Sequence, residues 1–228
     1  MKITCFLPCR KGSERIKRKN IRPFAGYKYG LIEIKLRQLS QASYIEHIIL
    51  STNDEEIIDC VQFLDIENLE VHTRKESLCT SFTSTDSLIN HVPDLVKDGH
   101  VLWTHVTSPF LNSRLYDKLV NAYKESLDLG YDSLMTTTEL RGFIWNENQP
   151  INYDRSLEKW PRTQTIEPLH EINSGAFICH IDLYKKCNDR IGRKPKMYPL
   201  SRLEGFDIDW PEDFTLAQCL LRERIASI

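Results

Sequence analysis

The 228 residues carry 30 Lys and Arg against 32 Asp and Glu, a net charge of -2. The chain as a whole therefore exerts no pull toward nucleic acid or an anionic membrane surface. With 41% hydrophobic and 10% aromatic residues it can bury enough apolar surface to offset chain entropy, which excludes a disordered protein. No apolar run approaches the roughly 18 residues of a membrane-spanning helix, and residues 1–7 meet charge too soon for a signal peptide. The expectation is a soluble, cytoplasmic chain. Seven cysteines without Cys-x-x-Cys or zinc-finger spacing predict reduced, mostly buried thiols.

Residues 3–7 form a short apolar run ending at Pro8, as a buried strand entering a loop does. Leu31, Ile32, Leu36 and Leu39 fall at helical spacing over 31–42. A second strand is read at 45–50, closed by Ser51-Thr52-Asn53-Asp54, a cluster suited to capping a helix with Ile57, Ile58 and Val61. A third strand follows at 69–72, then a helix with Leu88, Ile89, Val92, Leu95 and Val96 on one face. Residues 101–106 make the next strand, before a helix over about 113–127 and a strand around 133–137. Between 139 and 172 the periodicity lapses, which predicts an excursion from the main sheet, a lid or dimerisation arm too short to be a domain. A strand returns at 175–180, and a helix carrying Phe214, Ala217, Leu220 and Leu221 closes the chain. Alternating strands and helices predict a single α/β domain over 1–228, Rossmann-like and three-layered (α/β/α), on a doubly wound parallel sheet. Such sheets bind ligands at the C-terminal strand ends, where strand order reverses.

Two motifs carry chemistry. Residues 10–22, directly after the first strand, hold Arg10, Lys11, Arg15, Lys17, Arg18, Lys19 and Arg22, with Gly12 and Ser13 among them. By composition this is equally a solvated loop or a nucleic-acid patch; its position at a strand end favours a phosphate site. It matches neither the GxGxxG nor the GxxxxGK[ST] pattern. The second motif is Asp207-Ile208-Asp209. Read as a strand, it turns both carboxylates to one side, a donor set suited to Mg²⁺, which takes one or two carboxylates plus substrate phosphates. Asp209 could instead cap the last helix, with Glu212 three residues on, but capping gives no reason for Asp207.

The stretch Phe6-Leu7-Pro8-Cys9-Arg10-Lys11-Gly12-Ser13, followed by Arg18-Lys19-Asn20-Ile21-Arg22, resembles the opening motif of the acylneuraminate cytidylyltransferases. That family makes CMP-activated sialic acids and related nonulosonic acids, and its loop wraps CTP. The resemblance implies that Arg10 and Lys19 contact phosphates, and that Ser13 and Asn20 contact phosphate or ribose. Arg74, with Ser84-Thr85 ahead of a helix, looks like the base-recognition stretch and adds Arg74 and Thr85 to the nucleotide site. Thr104-His105-Val106-Thr107-Ser108-Pro109-Phe110 is similar to the QPTSPL segment beneath the sugar, with His105 in place of Gln. Asn173-Ser174-Gly175-Ala176-Phe177 resembles the ENGA motif that closes over the sugar acid, with Asn173 for Glu and Ser174 for Asn. Glu14 stands where many members have Lys, beside Arg15, which can supply the charge.

The resemblance implies a nucleotide-diphospho-sugar transferase-like fold, CTP and a nonulosonic acid as substrates, and a homodimer joined through 139–172. It assigns catalysis to Arg10, Lys19, Asp207 and Asp209, Mg²⁺ to Asp207 and Asp209, and the sugar acid to His105, Asn173 and Ser174. A neutral His105 would offer one donor and one acceptor on opposite ring edges, and near its ordinary pKa of about 6.5 it could gain charge and attract the substrate carboxylate. On its own, a His at a strand end is more often a hydrogen-bonded structural residue. Two alternatives remain. A metal-dependent glycosyltransferase would share the sheet and the acidic pair but needs no triphosphate loop. A catalytically silent sugar-nucleotide-binding homologue would account for the departures at Glu14, His105 and Ser174.

Overall fold

The computed structural model describes residues 1–80 and 82–228, and among these seven strands alternate with six helices. In the first half β1 is Ile3–Pro8, α1 Gly30–Ser40, β2 Ile45–Thr52, α2 Glu55–Val61, β3 Leu69–Thr73 and α3 Thr85–Leu95. In the second, β4 is His100–Thr104, α4 Ser113–Asp128, β5 Ser133–Leu140, β6 Leu169–His180, α5 Ile181–Cys187, β7 Pro195–Leu200 and α6 Pro211–Arg222. The strands form one sheet in the order β3-β2-β1-β4-β6-β5-β7. Strand order reverses between β1 and β4, so the loops leaving their C-terminal ends flank a natural ligand crevice.

The sheet is mixed, which corrects the expectation of a purely parallel one. β6 runs antiparallel to both β4 and β5, while β7 pairs parallel with β5. Antiparallel neighbours need no crossover helix, and none lies between β5 and β6. Residues 139–140 and 169–172, read as part of the excursion, instead pair in this ladder, with Leu140 opposite Leu169 and Thr137 opposite Ile172. The irregular connection is thus 141–168.

Alternation along the strands builds a core on each face. Cys5, Leu7, Ile48, Leu50, Leu102 and Ile178 pack against α1, α2, α4 and α6. Their neighbours Phe6, Ile49, Trp103, Phe177 and Cys179 face α3 and α5. This is the three-layer arrangement expected, with inward positions spaced by two along each strand. All seven cysteines are free, five of them buried. No helix among the described residues is long and apolar enough to cross a membrane.

β7 and α5 are not evident in the sequence. β7 contains Pro195 and Pro199, which argue against a strand except at a sheet edge, and the edge is where it lies. α5 has only seven residues, and its N-terminus is capped by the His180 ring, which accepts from the Asp182 amide.

Candidate active site

Irregular turns hold the basic loop, and its two apolar residues anchor it: Ile16 and Ile21 are buried. The Asn20 carbonyl takes the Ile32 amide of α1 at 2.9 Å. At Gly30 a Cβ would lie 2.0 Å from the Arg22 carbonyl oxygen, and φ is +61°; only glycine lets the loop meet the helix so closely. The loop is therefore fixed in place, and its charges divide. Arg10, Arg15 and Lys19 line a cleft of about 620 Å³ together with Ser13 and Asn20, whereas Arg18 turns away to pair with Glu56 on α2.

Asp207 and Asp209 line the same cleft, although residues 206–209 belong to no strand. The Ile208 side chain is fully buried between them, and its amide donates to the Thr107 carbonyl at 2.9 Å. Asp209 does not cap α6. The Asp213 carboxylate does so, accepting from the amides of Asp209 at 3.0 Å and Trp210 at 2.7 Å. Asp209 is free to meet Arg15 at 3.0 Å and Lys19 at 3.5 Å, and the Lys19 ammonium also donates to the Ile208 carbonyl at 2.7 Å. The Arg15 guanidinium lies over the Trp210 ring at 4.8 Å.

Burial raises the pKa of the Asp207 carboxyl; a hydrogen bond from Thr107 opposes the shift and the Asp209 charge adds to it. One Asp207 oxygen, Oδ1, is buried without a partner. Two carboxylates lining one basic cleft, one of them with an unpartnered oxygen, fit a hard divalent cation. Among the described residues no three His, Cys, Asp or Glu converge on one point, so such a cation would rest on two carboxylates and the phosphates of a ligand.

His105, Thr107 and Ser174 also line the cleft, as does Thr85 at the start of α3. The Trp103 indole N–H donates to His105 Nε2 at 3.1 Å. Because an indole can only donate, the His105 proton resides on Nδ1. Burial, with Arg190 next in effect, pushes the His105 pKa down to about 3. That shift runs against a charged His105 and favours the neutral imidazole.

Two residues assigned by resemblance do not line the cleft. Arg74 is buried, donating through Nη2 to the Ser51 carbonyl at 2.5 Å and through Nε to Ser51 Oγ at 3.1 Å. Its hydrogen bonds tie β3 to β2 rather than reaching a base. Asn173 is likewise occupied: Oδ1 accepts from Thr136 Oγ1 at 2.7 Å and the Gly175 amide at 3.2 Å, and Nδ2 donates to Thr138 Oγ1 at 3.1 Å. It shapes the turn that presents Ser174. Both departures have one cause: these polar groups found partners on neighbouring strands.

The cytidylyltransferase family model matches residues 4–226. A pseudaminic acid cytidylyltransferase of Campylobacter jejuni is 27% identical over 233 residues, covering 97% of each chain. An N-acylneuraminate cytidylyltransferase of Streptococcus agalactiae is 24% identical, over 94% of this chain and 52% of that protein. Among solved structures, a CMP:2-keto-3-deoxy-manno-octonic acid synthetase complexed with CTP superposes with a TM-score of 0.70 at 15% identity, covering 98% of this chain and 100% of the other. A 4-diphosphocytidyl-2C-methyl-D-erythritol synthase from Anaerococcus prevotii gives 0.69 at 17%, over 97% and 96%. These structural likenesses establish the fold, and the family match spans nearly the entire chain. The chain belongs to the cytidylyltransferase family.

Proposed function

We propose that the chain joins CTP to a nonulosonic acid, giving a CMP-sugar and pyrophosphate. The observation that carries this reading is the meeting of a three-cation loop and two carboxylates in one cleft at the β1/β4 reversal. The relatives named for pseudaminic and N-acylneuraminic acid support the sugar class. The pseudaminic acid relative, matched over 97% of both chains, favours a pseudaminate-like acid, and the departures at His105 and Ser174 support a sugar other than N-acetylneuraminate. Free thiols and dependence on CTP support a cytoplasmic location.

In this reading the anomeric hydroxyl attacks the α-phosphorus in line and pyrophosphate leaves. Arg10 and Lys19 hold the β- and γ-phosphates and offset the charge that develops there. Ser13 and Asn20 orient phosphate and ribose, and Thr85 reaches the nucleotide from α3. Asp207 and Asp209 would hold Mg²⁺, which when bound supplies Lewis-acid activation of the hydroxyl and neutralises phosphate oxygens. Lys19, now on the Ile208 carbonyl, keeps the acidic segment close to the triphosphate. Pyrophosphate release, assayed with CTP and a panel of nonulosonic acids, tests the reading. Turnover of nucleotide-sugars onto acceptors would establish a glycosyltransferase, and binding without turnover a silent homologue.

With Nε2 accepting from Trp103, a neutral His105 has its Nδ1 proton left to donate. Replacing it with Gln, which can still accept from Trp103, is expected to shift kcat/KM ratios among N-acetylneuraminate, legionaminate and pseudaminate. The KM for CTP should stay within about twofold. Unchanged ratios would make His105 structural only. The reading extends to a homodimer through the 141–168 connection, which exposes Trp145, Ile151, Leu157 and Trp160, an apolar set of the kind that partners cover. Light scattering is expected to give twice the chain mass; a monomer overturns this part.

A further inference from the structure

Lys35 sits on the apolar face of α1 and is fully buried, as are Tyr116 of α4 and Thr104 at the end of β4. None of the three lines the cleft. The Lys35 ammonium donates to the carbonyls of Ser108 at 2.8 Å and Leu111 at 3.1 Å, and to Tyr116 Oη at 2.9 Å. Tyr116 Oη lies 2.8 Å from Thr104 Oγ1, and Thr104 Oγ1 donates to the Gly175 carbonyl at 2.6 Å. The far end sets the direction of this relay. A carbonyl only accepts, so the Thr104 proton is committed to Gly175, Tyr116 must donate to Thr104, and Tyr116 must accept from Lys35. Three acceptors match the three protons of an ammonium; a neutral amine would leave one unmet. Burial pulls the Lys35 pKa down to about 7.

Both ends of the relay belong to walls of the cleft. Ser108 follows Thr107, whose carbonyl holds the Ile208 amide and whose hydroxyl reaches Asp207. Gly175 follows Ser174, which lines the cleft in a left-handed conformation at φ +57°, a region that non-glycine residues occupy only when held there. The ladder explains the holding. The pairing of β5 with β6 jumps from Met135–Phe177 to Thr137–Ile172, so residues 173–175 bulge out opposite Thr136, while Ala176 stays paired with Thr104 of β4. At Gly175 a Cβ would meet Thr136 Oγ1 at 2.9 Å. Thr136 and Asn173 grip this bulge from one side and Thr104 from the other.

We propose that Lys35, Tyr116 and Thr104 form a buried positioning relay that holds the Ser174 bulge against the sugar-acid side of the cleft, while the same ammonium anchors the loop carrying Thr107. The proposal rests on the reading that Ser174 faces the sugar acid. It makes Lys35 a positioning residue, remote from the reacting atoms.

Thr104→Val cuts the last link with little change of shape, Tyr116→Phe cuts the middle one, and Thr104→Ser keeps the hydroxyl. In folded Thr104→Val and Tyr116→Phe the KM for the sugar acid is expected to rise about tenfold, the scale of one buried hydrogen bond, with the KM for CTP within about twofold. Thr104→Ser should restore the wild-type value. An unchanged sugar KM, or an equal rise in both KM values, overturns the proposal. If Thr104→Val does not fold, Tyr116→Phe and Thr104→Ser decide by the same criteria. If the wild-type chain turns over no sugar acid in the panel, the functional reading fails, and amide exchange then judges the relay by itself. Faster exchange at 173–176 in a variant that keeps its melting temperature supports it; unchanged exchange overturns it.

Discussion

Asp207→Asn is expected to cost at least about 10³-fold in turnover, the several kcal/mol that a correctly held Lewis acid contributes, and to leave the fold intact. The buried Oδ1 without a partner is the reason to expect both. In the ligand-free chain this carboxylate is a liability: burial raises its pKa, so the folded state holds the proton more tightly than the unfolded chain. The resulting stability is complete below the unfolded pKa and is lost as pH rises through the folded one. Asparagine does not titrate and can still accept from Thr107. Without metal, the variant should therefore melt at or above the wild-type temperature, with a margin that widens as pH rises from the unfolded carboxyl's pKa through the raised folded one. Added Mg²⁺ with CTP should raise the melting point of the wild type and not of the variant. Near-normal turnover by Asp207→Asn at saturating Mg²⁺ would remove Asp207 from the metal site.

Lys19→Ala carries the second large effect, a fall in kcat of about 10²–10³-fold, comparable with losing one charge-stabilising donor at a reacting centre. Lys19 is well shielded, with its side chain 14% exposed, and its ammonium joins Asp209 and the Ile208 carbonyl. In the proposed function it bridges the acidic segment and the outer phosphates of CTP. CMP lacks those phosphates, so its Kd should change by less than about threefold while kcat collapses. Equal losses for CMP and CTP would move Lys19 to the α-phosphate or the ribose. Normal CTP turnover with impaired RNA or DNA binding would make the loop a nucleic-acid patch instead.

The elements that were legible from sequence are those whose signal is local. The helix over 31–42, the strand at 101–106 and the run of strand, helix and strand through the first half each announce themselves by periodicity within a dozen residues. The basic loop and the acidic pair were legible for the same reason, because each keeps its charges within a few positions. Lys35 left a visible mark as well. It falls on the same helical face as Leu31, Ile32 and Leu39, and a lysine inside an apolar stripe requires buried acceptors. Its acceptors, however, lie 73 to 81 residues away, and no spacing rule points to them.

Composition and pattern, by themselves, determined an α/β domain with a phosphate-sized basic loop at the first strand end and two carboxylates near the C-terminus. They did so because burial alternates with a period fixed by backbone geometry, whatever the rest of the chain does. Only the tertiary structure decided that β6 runs antiparallel, that Pro195–Leu200 forms an edge strand, and that three of the seven loop cations line the cleft. It also decided that Arg74 and Asn173 spend their hydrogen bonds on neighbouring strands, and that His105 stays neutral beneath Trp103. Those outcomes depend on which remote groups arrive within hydrogen-bonding distance and on how much water is excluded when they do. Both are properties of the packed chain, set by contacts between segments distant in sequence.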